Sequence, residues 1–102
     1  MIAIEIPKEQ LRDFCRRWKI TEFSLFGSVT REDFTSSSDI DVLVEFEAGA
    51  PWSLFDLVDM RQELMTIFGR EVDLLTRPGV QHSLNRFRRE AILGSAVTLD
   101  VA

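Results

Sequence analysis

The stretch from Phe26 to Phe46 constrains this chain more than any other. It opens Phe-Gly-Ser-Val-Thr-Arg, crosses a polar segment ending in Ser36, Ser37 and Ser38, and continues Asp-Ile-Asp-Val-Leu-Val-Glu-Phe. Side chains of a strand alternate between its two faces. Asp39 and Asp41 therefore point one way, while Ile40, Val42, Val44 and Phe46 point the other way into a core. Two like charges about 4 Å apart repel by roughly 4 kcal/mol at an effective dielectric near 20. A divalent cation reverses that sign, and Mg²⁺ favours carboxylate oxygens combined with substrate phosphates. The strand thus carries a candidate cation site on one face and a core on the other.

The rest of the chain reads as the scaffold for this strand. At 102 residues the sequence is sized for one domain spanning residues 1–102, and 45% hydrophobic content suits a packed core. Twelve basic against seventeen acidic residues leave a net charge of −5, which argues against direct nucleic-acid binding through bulk charge. The single cysteine, Cys15, has no partner for an internal disulfide and fits a reducing compartment. No leader with a cleavage site and no apolar run long enough to span a bilayer is visible, so a cytoplasmic protein with no membrane association is expected.

Residues 7–18 predict a helix, with Pro7 in its first turn and Leu11, Phe14, Cys15 and Trp18 on one apolar stripe. On that stripe Cys15 reads as a buried, inert thiol rather than a reactive one. Ile20 to Phe26 predicts a strand with Phe23 and Leu25 on one face. It runs into Gly27-Ser28, where glycine permits close backbone approach and serine begins a short helix through Arg31. Free N–H groups at such a start suit phosphate, although an ordinary turn would carry the same residues. Thr30 to Ser38 predicts a surface loop in which Ser38 orients Asp39, and Glu32 and Asp33 put negative charge near the Gly-Ser turn.

Beyond the Asp39–Phe46 strand, Gly49 and Pro51 punctuate a turn. Ser53 and Asp56 form a variant capping box for a helix ending near Phe68, with Leu54, Leu57, Val58, Met65 and Phe68 inward and Gly69 as the stop. Trp52 reads as a hydrophobic anchor at the helix entry, base stacking being the alternative. Arg70 to Leu75 predicts a third strand, with Val72 and Leu74 on one face and Glu71, Asp73 and Leu75 on the other. A two-metal site calls for a third carboxylate; Asp73, in mid-strand, is the candidate and Glu71 its rival. Pro78-Gly79 predicts a turn, and residues 81–93 a last helix with Leu84, Phe87, Ala91 and Ile92 inward. Arg77, Arg86, Arg88 and Arg89 read either as a solvated basic face or as groups for a triphosphate tail or RNA. His82 stands alone, without the companions of a zinc site. Val97 to Val101 predicts a short extended tail that covers a sheet edge or meets a partner.

The Gly27-Ser28 turn, the loop Val29–Ser38 and Asp39-x-Asp41 opening an apolar strand resemble the signature of the polymerase-beta-like nucleotidyltransferase superfamily. The small size, the wording Leu-Phe-Gly-Ser…Ser-Asp-Ile-Asp-Val-Leu-Val-Glu-Phe and the later Glu-Val-Asp-Leu-Leu look most like its minimal nucleotidyltransferases. That resemblance implies an α+β fold, a mixed sheet with helices packed mainly on one face. It implies two Mg²⁺ ions among Asp39, Asp41 and Asp73 as the catalytic set, with ATP phosphates at Gly27, Ser28 and Arg31. It further implies an antitoxin that moves AMP from ATP onto a tyrosine hydroxyl of a partner HEPN-domain toxin. The chain itself contains no tyrosine, so such an acceptor lies on another molecule. A non-catalytic binding module that neutralises its partner by contact is the competing expectation.

Overall fold

The computed structural model describes residues 4–31, 34, 35 and 37–102. Helix α1 (Lys8–Arg17) leads into strand β1 (Ile20–Phe26), a single 3₁₀ turn (Gly27–Thr30) and strand β2 (Ile40–Phe46). Helix α2 (Leu54–Phe68) and strand β3 (Val72–Thr76) follow, then α3 (Arg77–Gln81), α4 (Arg86–Ser95) and β4 (Val97–Leu99). The sheet order is β3-β2-β1-β4; β1 is antiparallel to both neighbours, and β3 is parallel to β2. A parallel pair needs a crossover, which α2 supplies. The expected α+β mixed sheet is what forms, and the C-terminal tail covers the free edge of β1 as β4.

The alternation of β2 divides the packing. Ile40, Val42 and Val44 enter the larger core with Leu11, Phe14, Phe23, Leu25, Met60, Leu64 and Val72, under α1 and α2. Leu43, on the other face, meets Phe26, Val80 and Ile92 in a smaller cluster beneath α3 and α4. Cys15 is buried in the larger core, and desolvation pushes its thiol pKa up to about 12. It is accordingly unreactive at neutral pH.

Helix α2 begins and ends on the chemistry expected of it. Ser53 and Asp56 complete the capping box, and Gly69 closes the helix with φ +67°. Of its expected inward residues, Leu57, Met65 and Phe68 pack half-buried against the core, but Leu54 and Val58 are exposed, and the fully buried positions belong to Met60 and Leu64. Apolar residues occur on several sides of this helix, so its periodicity admitted more than one stripe. The i, i+4 pair that meets the sheet is the one buried.

Trp52 is a structural anchor. Its indole N–H donates to Trp18 O at 2.8 Å, and the two rings pack edge to face at 5.0 Å. Trp18 in turn donates to Glu63 Oε2 on α2 at 2.7 Å. These contacts fasten the end of α1 to the start and middle of α2. Trp52→Ala is expected to lower unfolding stability by about 2 kcal/mol. Thermal denaturation measures this; a loss below about 0.5 kcal/mol, the level of an ordinary surface substitution, contradicts the anchor.

The C-terminal third departs most from expectation. Pro78 and Gly79 do not form a separating turn but lie in the first turn of α3, with Thr76 Oγ1 accepting from Gly79 N at 3.2 Å. Proline is well placed there, because its missing N–H has no helical partner at that position. A second start follows at Asn85, whose Oδ1 accepts from Arg88 N at 3.1 Å. The expected single helix over 81–93 is therefore two helices meeting at 82–85. Leu84, Phe87 and Ala91 are exposed rather than inward, whereas Ile92 is buried as expected, together with Val80.

Candidate active site

Strand pairing brings two of the three predicted carboxylates together. Asp41 on β2 is the direct register partner of Asp73 on β3, as Ile40 is of Val72. Ile40 and Val72 are in the core, so Asp41 and Asp73 occupy the opposite face. Asp39 immediately precedes β2 and is exposed, as is Asp73, whereas Asp41 is half-buried. Glu71, the rival to Asp73, turns away, its Oε2 held by Arg61 Nη2 at 2.9 Å.

Gly27 fixes the position of Asp41. Phe26 pairs with Asp41 across the β1–β2 ladder, so the next residue sits at the aspartate's side. A side-chain carbon built on Gly27 would collide with Asp41 Oδ2 and lie 3.2 Å from its Cγ. Gly27 also has φ +72°, in the left-handed region that favours glycine. The bare Cα of Gly27 thus makes room for the carboxylate, a role separate from the phosphate approach expected from the sequence. Thr30 Oγ1 donates to Gly27 O at 2.7 Å and Arg31 N to Ser28 O at 2.9 Å, closing the 3₁₀ turn.

Ser28 is half-buried within this turn and Arg31 is exposed just after it. Ser38 does not orient Asp39 as expected. Its Oγ accepts from Thr35 N at 3.0 Å, and it lies 3.1 Å from Thr35 Oγ1. Ser36, Glu32 and Asp33 lie outside the described residues.

Burial raises the Asp41 pKa above its ordinary value, and the neighbouring charges of Asp73 and Asp39 raise it further. Arg31 and Arg88 oppose the rise. Among the described residues, no group of three or more His, Cys, Asp or Glu side chains stands close enough to hold a metal ion as it is. The carboxylates at this site are those of Asp39, Asp41 and Asp73. Their chemistry still fits Mg²⁺: hard oxygen donors, one held against Gly27 and two on more exposed side chains whose rotamers adjust at little cost.

Three of the four arginines left open by the sequence have internal partners. Arg77 Nη2 meets Glu22 Oε1 at 2.5 Å and its Nε meets Glu45 Oε2 at 3.3 Å. Arg86 pairs with Glu90 at 3.1 Å, and Arg89 Nη1 donates to Ser83 O at 3.0 Å. Among the described residues Arg88 is the exception. Its position near Asp41 was missed because the break before α4, marked locally by the Asn85 cap, turns this helix relative to the expected one.

The family model described as "Nucleotidyltransferase domain" matches residues 7–97. MJ0435 of Methanocaldococcus jannaschii, a candidate protein adenylyltransferase, is 43% identical over 74 residues, covering 72% of this chain and 73% of the relative. The protein adenylyltransferase MntA of Thermococcus cleftensis is 31% identical over 77 residues, covering 76% and 73% of the two chains. Among solved structures, a candidate minimal nucleotidyltransferase superposes with TM-score 0.68 at 32% identity, over 90% of this chain and 88% of its own. A toxin–antitoxin structure with AMP-PNP superposes with TM-score 0.69 at 18% identity, over 91% of this chain and 72% of its own. Among the described residues no helix is long and apolar enough to cross a membrane.

Proposed function

Because the chain belongs to the nucleotidyltransferase domain family, we propose that it is a Mg²⁺-dependent antitoxin that transfers AMP from ATP to a tyrosine hydroxyl of a HEPN-domain toxin. The observation that carries this reading is Asp41 set beside Asp73 on adjoining parallel strands, with the Asp41 carboxylate lodged on the bare Cα of Gly27. Asp39, Asp41 and Asp73 are the residues that would hold Mg²⁺, which supplies neutralisation of phosphate charge and activation of the incoming hydroxyl. Gly27 and Ser28 lie beside the carboxylates at the 3₁₀ turn, where the phosphate chain would pass. Arg31, next after that turn, adds positive charge.

In the transfer the acceptor oxygen bonds to the α-phosphorus. The bridging P–O bond to the β-phosphate breaks, diphosphate leaves, and the hydroxyl gives up its proton to solvent. The chain's own contribution is placement: half-burial sharpens the field of Asp41, and the bare Cα of Gly27 leaves room for its carboxylate. An acceptor in trans agrees with a chain lacking tyrosine. The relatives named for protein adenylylation and the toxin–antitoxin neighbour with AMP-PNP support the choice of nucleotide and of a protein partner. The exposed Leu54, Phe55, Val58, Leu84 and Phe87 support the protein partner alone, as apolar surface of the kind proteins cover with partners.

The test is transfer of label from α-labelled ATP, with Mg²⁺, onto a HEPN-domain toxin that binds this chain. Label on a toxin tyrosine, with the toxin's RNase activity falling in step, is expected. Neutralisation by a bound complex that carries no label would replace catalysis with inhibition by contact.

A further inference from the structure

We infer that Arg88 is a nucleotide-binding residue, its guanidinium gripping the diphosphate portion of the nucleoside triphosphate from the α4 side of the site. This rests on the nucleotidyltransferase reading above and adds a residue to it. The first support is position. Ile92 of α4 packs on Phe26 and Leu43. Phe26 is the register partner of Asp41, and Leu43 lies two residues beyond Asp41 on the same face. Arg88 is one helical turn before Ile92 and shares its face of α4. Helix α4 also packs against the 3₁₀ turn of Gly27 and Ser28. Arg88 acts electrostatically on the Asp41 carboxylate, as a side chain so placed must.

The second support is availability. Arg77, Arg86 and Arg89 are engaged by Glu22, Glu45, Glu90 and the Ser83 carbonyl. The Arg88 guanidinium makes no hydrogen bond or ion pair among the described residues; only its backbone N–H is used, at the Asn85 cap. It also lines a cleft of about 350 Å³ between β3, α3 and α4, whose other walls include Leu75, Thr76 and Val80. An unengaged guanidinium beside a carboxylate site is matched to phosphate oxygens, which it binds in bidentate fashion. Transfer of the α-phosphoryl group places growing charge on the departing diphosphate, where such a cation acts.

The experiment is calorimetric titration of the full chain with Mg²⁺ and a triphosphate analogue carrying a methylene α–β bridge, with AMP in parallel. Arg88→Ala should weaken analogue binding by about 10- to 100-fold, as expected for a lost charge-assisted bidentate contact. AMP binding should change less than about 3-fold, since AMP lacks the phosphates concerned. Arg88→Lys should fall between parent and Arg88→Ala, because it keeps the charge but not the fork. Arg86→Ala, which removes an equal charge from the same helix, should leave analogue binding within about 2-fold of the parent. Equal weakening by Arg86→Ala, or analogue binding by Arg88→Ala within about 2-fold of the parent, overturns the assignment while leaving the family reading intact. A parent chain that binds no Mg²⁺-analogue overturns both.

Discussion

Asp41→Asn should abolish AMP transfer, lowering it on the order of 1000-fold or more, while making the metal-free domain more stable. Both effects follow from one placement. The substitution keeps the shape that fits against Gly27 but removes the anionic oxygen between Asp39 and Asp73. Burial and those two neighbours raise the folded-state pKa of Asp41 above its unfolded value of 3.8. A carboxyl so shifted favours folding when protonated. That contribution is fully present below the unfolded pKa and is lost as pH rises through the folded pKa. At pH 7 the parent therefore carries the penalty of an ionised Asp41, and the Asn variant does not. Because the group is partly exposed and screened, the gain should be modest, about 2–4 °C in Tm for a domain of this size. The gap between variant and parent should vanish as pH is taken below about 3.8. Added Mg²⁺ should raise the Tm of the parent and not that of Asp41→Asn. Calorimetric melts at several pH values, with and without Mg²⁺, check each part; a variant less stable than the metal-free parent at neutral pH contradicts the electrostatic account.

Gly27→Ala should be nearly as damaging, for a steric reason. The new methyl meets Asp41 Oδ2 head-on, and the backbone at φ +72° disfavours any side chain. The conformational strain should reduce stability by about 1–2 kcal/mol. Displacement of Asp41 by an ångström should reduce transfer about 100-fold or more. Gly69→Ala is the matched control. Gly69 has φ +67° at the end of α2, yet a methyl there meets nothing within 4 Å. It should show a similar stability loss with transfer unchanged. Comparison of the two melts and two transfer rates separates backbone strain from crowding of the carboxylate. Equal transfer by both variants would mean that Asp41 does not depend on Gly27.

The region around the site was legible in the sequence because its signals are local. Strand alternation put Asp41 opposite Ile40 and Val42, and the bounds of β1 and the turn at Gly27 emerged as expected. The choice of Asp73 over Glu71 became physical only with β3 in register on β2, since pairing between strands is a tertiary fact. The C-terminal third resisted for a different reason. Leu84 and Phe87 have helical spacing with Ala91 and Ile92, but Thr76 and Asn85 each start a helix, and of that set Ile92 alone enters the core. Hydrophobic periodicity identifies an amphipathic segment without saying whether its apolar face meets the core or a partner. The arginines were equally opaque. Four look alike in sequence, and only their carboxylate and carbonyl partners distinguish Arg88 from the rest.

The most direct test of the carboxylate site is a crystal structure of the chain with Mg²⁺ and the methylene-bridged triphosphate. The account predicts Mg²⁺ about 2.1 Å from oxygens of Asp41 and of Asp39 or Asp73, bridging to the nucleotide phosphates beside Gly27. A nucleotide seated elsewhere, or ions that bind without touching Asp41, would contradict it.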